Sequence, residues 1–385
     1  MVLSVCRELS GRAEVTAAFR ALVGEAGEGS FRCLALEPSH VPPAALRSDN
    51  AVRGLSPLAL WRYARALRRF AEERHGEFDC AMEYGWRGSG LLSEYFRRWG
   101  VAGIPAEHFP RLPGLGGGMA PRQVVRRAAL RTSEAFVMRM LRRAPMVTAE
   151  SETLREDLAE RVGVAAECIR VVPIGLDHAL FFPRDQAACR RQLGMPVGGQ
   201  VWTYVGGMGM YHDMRPCLRA FAEVRPPGVS LLLVGDGTDR ESWLEAAGAA
   251  LGSSVRFVGR VPYESVPLYI GAADLCLAPY VVERYPGGKI TSATLKIPQY
   301  MACARAAVSV PSGEILRLIR DGENGFLFAN TQEEWGRFFA HVPPAARLRE
   351  MGERGVPVAA TRSWTATAQA FLNVCREACA RAAAT

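Results

Sequence analysis

Lys289 and Lys296 stand out in this 385-residue chain because the other basic residues are all arginines. Lysine and arginine together number 47, and these two are the lysines. Where arginine serves as the general cation, a lysine indicates a place at which a compact ammonium group is needed. The alternative interpretation is that two lysines seven residues apart are a chance of composition.

The arginines are concentrated between Arg111 and Arg143, a segment with eight arginines and one acidic residue, Glu134. Such a segment is typical of a solvated helix face. Its apolar residues at helical spacing also fit a surface that contacts anionic lipid. Nucleic-acid binding is the third interpretation and is not favoured, because neither interleaved aromatic residues nor a known binding module accompanies the charge. We therefore expect no nucleic-acid partner, and peripheral contact with the inner face of an anionic membrane stays a hypothesis.

Composition excludes several protein classes. The chain is 49% hydrophobic and 22% charged, which is unlike a disordered or collagen-like protein. It has no apolar run of about 18 residues, and Arg7 and Glu8 interrupt the place where a signal peptide would keep its apolar core. The ten cysteines form no CxxC pair, so neither a zinc site nor a disulfide framework is indicated. We expect a cytoplasmic protein without a metal.

Two series of strand-like and helix-like segments alternate along the chain. Each apolar strand of the second series ends in glycine, proline or a polar turn, where open parallel sheets bind ligands. This alternation predicts an α/β protein with two Rossmann-like domains, 1–182 and 195–362, and a closing amphipathic helix over 363–385. The expected strands are 2–6, 31–38, 78–85, 101–108, 201–207, 230–237, 254–261, 273–280 and 306–310, and a helix is expected over 13–27.

Several motifs in register resemble the retaining glycosyltransferases of family 4, which have the GT-B fold. In the second half these are VGDG, VRFVGRV, ADLCLAPY, SATLKIPQYMACARAAVSV and IRDGENGFLF. In the first half, the segment TAESETLREDLAERVGVAAECIRVVPIGLDHALFFP resembles the one that joins the two domains. The resemblance runs from about residue 120 to the end and implies two facing Rossmann-like domains, of which the first binds the acceptor and the second the nucleotide sugar. It also implies that the last helix, 363–385, crosses back to pack on the first domain.

The resemblance implies transfer of a sugar from a nucleotide-sugar donor to an acceptor hydroxyl with retention of configuration. The acceptor, a glycan, a lipid-linked molecule or a small molecule, attacks on the face from which the diphosphate departs, and the diphosphate takes its proton. No covalent nucleophile and no cofactor besides the donor are implied, and no DxD-like metal motif is present. Two alternatives stay open at this point, a nucleotide-sugar 2-epimerase and a non-catalytic partner subunit.

The resemblance also assigns residues to the donor's diphosphate. Thr294 and Leu295, which open a helix, and Lys296 in its first turn are expected to bind the donor's diphosphate, because anions favour helix N-termini. Lys296 is also expected to stabilise the diphosphate as it leaves. Lys289, on the preceding loop, is expected to reach the same place. The glycine turn Gly206–Gly207 is expected to approach the phosphates.

Further residues are assigned to the nucleoside and to the transferred sugar. Gln299 stands where the family has a ribose-binding glutamate, and Arg260 and Val261 match the segment that lies along the base. His108 matches a histidine that points at the transferred sugar and is a catalytic candidate. Gly11 lies on the first strand-to-helix loop, which faces the phosphates and the acceptor.

Three positions depart from the family pattern. The usual arginine and lysine near the phosphates are replaced by Gly207 and His212, and the usual glutamate by Gln299. A glutamine keeps an acceptor oxygen and adds a donor, so it can still bond a ribose hydroxyl. Lys296, Lys289 and Arg260 would have to compensate for the loss of two cations, and these changes leave room for an inactive relative.

Overall fold

The structure is a computed structural model. It describes residues 14–17, 32–36, 65, 68, 72–73, 75–85, 94–95, 97–98, 100, 102–107, 135 and 137–383. Its strands are β1 (Glu14–Ala17), β2 (Arg32–Leu36), β3 (Cys80–Gly85), β4 (Ala102–Glu107), β5 (Val147–Ala149), β6 (Ile169–Val171), β7 (Gln200–Val205), β8 (Val229–Val234), β9 (Val255–Gly259), β10 (Leu275–Leu277), β11 (Ala306–Ser309) and β12 (Gly325–Leu327).

The α-helices whose bounds the structure defines lie from residue 152 onward. They are α1 (Glu152–Asp157), α2 (Gln186–Gln192), α3 (Arg215–Val224), α4 (Arg240–Ala247), α5 (Val266–Ala272), α6 (Lys296–Ala302), α7 (Ile315–Leu318), α8 (Gln332–Ala340), α9 (Ala345–Ala360) and α10 (Trp364–Ala383). Within the described part of the chain, no helix is both long and apolar enough to cross a membrane.

The chain divides into two compact units. The first comprises Met1–Gly175, Thr291–Ala293 and Trp364–Thr385, and the second Leu176–Ile290 and Thr294–Ser363. The boundary therefore lies at Gly175, earlier than the expected residue 182. The physical reason is that Phe181 is fully buried and packs its ring on Tyr263 of the second unit, with centroids 5.6 Å apart.

The first unit holds a parallel sheet in the order β1-β2-β3-β4-β5-β6. The expected helix over 13–27 is wrong at its start, because Glu14–Ala17 forms a strand that pairs with β2. Val15 and Thr16 are β-branched and suit a strand, and the sheet partner decides between the two forms. The expected strand over 2–6 lies outside the described residues. Helix α10 belongs to this unit and packs its Phe371 and Leu372 into a core with Met82 and Ile104.

The second unit holds a parallel sheet in the order β12-β11-β10-β7-β8-β9. The chain starts in the middle at β7, adds β8 and β9 on one side, and then crosses to β10 on the other. Three tryptophans, Trp202, Trp243 and Trp335, are fully buried in its core. This is the doubly wound arrangement that the strand and helix alternation predicts.

A buried ion pair fixes the amino ends of the two central strands. The side chains of Arg190 and Asp274 are 3% and 7% exposed and hydrogen-bonded to each other. The same carboxylate accepts from the backbone N–H of Val201, 2.6 Å away, so β7 is tied to the residue that precedes β10. Because breaking a buried pair is costly, this contact holds β7 and β10 side by side.

Candidate active site

The order of the second sheet reverses between β7 and β10, and parallel strands bind ligands at the carboxyl ends that flank such a reversal. β7 and β10 are direct neighbours, with Tyr204 opposite Leu277. Beyond β7 the chain turns at Gly206 and Gly207, and beyond β10 it continues to Tyr280. Fold topology alone therefore places the candidate site at these two chain segments.

The two segments are bonded to each other through their backbones. His212 and Tyr280 form an antiparallel bridge, Asp213 N donates to Pro279 O at 3.1 Å, and Val281 N donates to Tyr211 O at 2.9 Å. This pairing places the imidazole of His212 over the ring of Tyr280, with ring centroids 4.6 Å apart. His212 is therefore positioned by backbone pairing.

Gly206 leaves space for the side chain of Lys296. A Cβ at Gly206 would lie 2.1 Å from Lys296 Nζ, and the backbone has a φ of +145°. Gly235 in turn abuts Gly206, because its Cβ would lie 1.9 Å from the carbonyl oxygen of Gly206. Glycine is required at both positions, since any larger residue would displace the ammonium group or the turn.

Lys296 is the first residue of α6, and its ammonium group lies against Tyr204. Nζ donates to the Tyr204 hydroxyl at 3.1 Å and lies 4.5 Å from the centroid of the same ring. Burial lowers the pKa of Lys296 to about 7. Among the described residues no carboxylate forms an ion pair with it. Lys296 is half-buried, and a cation in such a place whose neighbours are neutral is poised to accept an anion.

His212 and Tyr204 complete a pocket of neutral groups around Lys296. Burial, and secondarily the charge of Lys296, lowers the pKa of His212 well below its ordinary value. In the part of the chain that the structure describes, His212 Nε2 is buried without a hydrogen-bond partner. Burial raises the pKa of Tyr204, whose hydroxyl donates to the carbonyl oxygen of Gly207. The pocket therefore offers one titratable ammonium group and one unpaired imidazole nitrogen.

Gln299 lies one turn further along α6 and has a polar partner of its own. Its side chain is buried, and Nε2 donates to the hydroxyl of Tyr263 at 3.2 Å. Arg260 follows β9, and its guanidinium is 84% exposed with Asp236 as a 3.9 Å ion-pair partner. Val261 is half-buried beside it. The residues expected to meet the nucleoside thus follow β9 or lie on α6.

The chain is similar to known glycosyltransferases. Residues 199–338 match the family model described as Glycosyl transferases group 1, and residues 1–180 match the one described as Glycosyltransferase Family 4. D-inositol 3-phosphate glycosyltransferase of Nocardia farcinica is 28% identical over 326 residues, which are 80% of this chain and 69% of that protein. 2-Deoxystreptamine glucosyltransferase of Streptomyces kanamyceticus is 34% identical over 157 residues, 39% of this chain and 40% of that protein.

Solved structures show the fold. HepE of Anabaena in complex with UDP has a TM-score of 0.65 at 17% identity, over 89% of this chain and 91% of HepE. Sucrose-phosphate synthase from Thermosynechococcus elongatus has a TM-score of 0.65 at 18% identity, over 95% of this chain and 98% of that one. The chain is a GT-B glycosyltransferase. The expected α/β fold is confirmed.

In this glycosyltransferase the segment before Lys296 is held by the end of β5. The first unit includes Thr291–Ala293, and Ala293 N donates to the buried carboxylate of Glu150 at 2.8 Å. The hydroxyl of Ser151 caps α1 by accepting from Leu154 N and also donates to the carbonyl oxygen of Thr291. Two side chains next to β5 therefore fix the backbone at Thr291 and Ala293 within the first unit.

The remaining donor candidates lie around α6. Thr294 is buried next to the phenol of Tyr280. Leu295 is the N-cap residue of α6 and is 45% exposed. Lys289 is half-buried and follows the short helical turn Pro286–Gly288. Donor contact by these three residues stays a prediction.

The structure brings together Lys296, Gly206 and His212, which the sequence placed in two separate motifs.

His108 and Gly11 lie outside the described residues, as do most arginines between 111 and 143. Arg142 is described, and its Nε donates to the carbonyl oxygen of Val162 at the end of the helical turn that continues α1.

Sequence reasoning did not identify the aromatic and acidic partners of the site. Tyr204, Tyr280 and Tyr263 contact the predicted site residues Lys296, Thr294 and Gln299. Glu150 accepts from the backbone of Ala293, which precedes Thr294. The available signal was their position, because Tyr204 lies near the end of VWTYVGG and Tyr280 ends ADLCLAPY. Residues at the carboxyl ends of parallel strands line the ligand crevice.

Proposed function

We propose that this glycosyltransferase moves a sugar from a nucleoside-diphosphate sugar to an acceptor hydroxyl, with retention of configuration and without a metal. The second unit binds the donor at the carboxyl ends of β7 and β10. Lys296 and His212 contact the diphosphate, and Gln299 contacts the ribose. Among the described residues, no group of three or more histidine, cysteine or acidic side chains is arranged to hold a metal ion.

The observation that carries this proposal is the environment of Lys296. Its ammonium group occupies the space left by Gly206, beside a tyrosine ring and an unpaired imidazole nitrogen, without a carboxylate partner in the described residues. Keeping a charge in such surroundings is unfavourable unless a counter-ion is present, and burial accordingly lowers the pKa. A diphosphate supplies the missing negative charge.

The same contact favours the reaction. The bond between the anomeric carbon and the diphosphate oxygen breaks, and the acceptor oxygen forms a new bond to that carbon. The acceptor's proton passes to the departing diphosphate. Because negative charge accumulates on the diphosphate as the bond breaks, a hydrogen bond from Lys296 strengthens in the transition state. The protein needs no covalent nucleophile for this sequence.

The comparisons support the donor class. HepE, a structural neighbour, has been solved with UDP and with UDP-glucose, and the relatives reported above are transferases. These findings do not favour the epimerase or the non-catalytic partner subunit. The proposed acceptor is a hydroxyl compound.

A thermal-shift titration tests the proposal. UDP, GDP, ADP and inorganic pyrophosphate are added to the wild-type chain and to Lys296→Ala. A nucleoside diphosphate at 100 times its Kd should stabilise the wild-type fold by about 2.7 kcal/mol. The variant should lose most of this shift, which is measured relative to the melting temperature of the variant itself without nucleotide. Turnover with the matching nucleotide sugar should fall roughly a hundredfold.

Lys296→Arg serves as the matched charge control. It keeps the charge but should not restore turnover fully, because the planar guanidinium does not fit the space left by Gly206. If no nucleotide shifted the wild-type melting temperature, or if Lys296→Ala bound and turned over as the wild type does, the proposal would be wrong.

A further inference from the structure

The amide group of Gln299 has a fixed orientation in the structure. The side chain is 9% exposed, and its Nε2 donates to the Tyr263 hydroxyl at 3.2 Å. Within the described residues the amide oxygen accepts no hydrogen bond. Because an amide has one acceptor end and one donor end, the Tyr263 contact at Nε2 leaves Oε1 as the group available to a ligand.

The side chain of Tyr263 is held in place by packing, although the residue is 53% exposed. Its ring packs edge-on against Phe181, with centroids 5.6 Å apart and an interplanar angle of 62°. Partial burial raises the pKa of its phenol, so the group is uncharged at neutral pH. A neutral phenol oxygen can accept from Nε2 without placing a negative charge beside a diphosphate site.

From this geometry we propose that Tyr263 is a positioning residue that determines recognition of the donor's ribose. Its phenol holds the Gln299 amide so that Oε1 accepts from a ribose hydroxyl. The inference rests on the proposed function, because it assumes that the ligand is a nucleoside diphosphate. A carboxylate at position 299 could accept a hydrogen bond at either oxygen. A glutamine can accept one only when Oε1, and not Nε2, faces the ribose. Tyr263 supplies that orientation.

Discrimination between ribose and dideoxyribose tests the inference. Kd values are measured by titration calorimetry for the nucleoside diphosphate that binds the wild type most tightly among UDP, GDP and ADP, for its 2′,3′-dideoxy analogue and for inorganic pyrophosphate. Tyr263→Phe keeps the ring on Phe181 and removes the phenol oxygen. It should weaken binding of the ribonucleotide about fivefold, the worth of one hydrogen bond. Binding of the dideoxy analogue and of pyrophosphate should not change.

Two further variants separate positioning from a general structural effect. Gln299→Glu should restore the preference for ribose when combined with Tyr263→Phe, because a carboxylate needs no orienting partner. Tyr269→Phe makes the same chemical change on α5 and should leave all three Kd values unchanged.

The outcomes distinguish this inference from the proposed function. If Tyr263→Phe kept the full preference for ribose over dideoxyribose, the inference alone would be overturned. If the double variant failed to recover the preference, a role for Tyr263 through Gln299 would be refuted as well. A wild-type chain that bound neither nucleotides nor pyrophosphate would overturn the proposed function together with this inference.

Discussion

Raising the pH should weaken nucleoside-diphosphate binding through Lys296. Burial lowers the pKa of this lysine to about 7, so its charged form predominates below that pH and is lost above it. The two polar neighbours do not titrate in the same interval. The pKa of His212 is lowered well below its ordinary value and that of Tyr204 is raised above its own, so both are neutral from about pH 7 to 9. The charge of this pocket therefore changes at Lys296.

The magnitude follows from the fraction of lysine that is charged. If only the ammonium form binds the diphosphate, the apparent Kd rises about tenfold for each pH unit above 7. About half of the lysine is charged at pH 7 and about 3% at pH 8.5. The affinity for the diphosphate should therefore fall roughly 15-fold between these two pH values. A nucleoside diphosphate has its own second ionisation near pH 6, so measurements above pH 7 report on the protein.

Titration calorimetry at pH 7.0, 7.75 and 8.5, in two buffers with different ionisation enthalpies, measures both the affinity and the protons exchanged. About one proton should be taken up per nucleotide bound at pH 8.5, because the bound anion restores the charge of Lys296. Lys296→Met should bind weakly at every pH without this proton uptake. Lys289→Ala, which leaves Lys296 unchanged, should keep it.

The stability of the ligand-free protein should increase as the pH rises, whereas its affinity for the nucleotide decreases. The folded pKa of Lys296, about 7, lies below the value of 10.5 for an unperturbed lysine, so the unfolded state binds more protons between these pH values. The free energy of unfolding of the wild type, relative to Lys296→Met, should therefore rise from pH 7 to pH 10. An affinity that stayed constant from pH 7 to 8.5, with no proton uptake, would refute the assignment of Lys296.

Two other predictions concern the glycine turn and the arginine segment. Gly206→Ala should weaken nucleotide binding at least as much as Lys296→Ala and lower the Tm, because its Cβ would lie 2.1 Å from Nζ at a φ of +145°. Gly207→Ala, with open space at its Cβ, is the matched control for the melting temperature, and an unchanged Gly206→Ala titration and melt would contradict the packing described here. If the arginine segment binds anionic lipid, replacing Arg126, Arg127, Arg139 and Arg143 by Gln should reduce salt-sensitive sedimentation with phosphatidylserine vesicles. Arg142 is kept because it bonds the backbone of Val162, and equal sedimentation of the wild type with neutral and anionic vesicles would exclude lipid binding.

Much of the second unit could be predicted from the sequence. Apolar strands that end in glycine alternate with helical segments, and this local pattern is sufficient to indicate a parallel doubly wound sheet. The glycine turn and Lys296 were likewise identifiable, because the turn ends a strand and the lysine is rare in a chain rich in arginine. The first unit was less predictable. Glu14–Ala17 has a sequence compatible with helix, and pairing with β2 makes it a strand.

The tertiary structure alone decided the chemistry of the site. Tyr204 and Lys296 are 92 positions apart, and Tyr263 and Gln299 are 36 apart, so neither hydrogen bond has a local signature in the chain. A sequence also gives no measure of burial, which is what lowers the pKa of Lys296 and leaves His212 neutral. Residue types and their order determine which groups are available. Only the packing of distant strands and loops determines which of them meet and whether they carry a charge, because solvation depends on every neighbour at once.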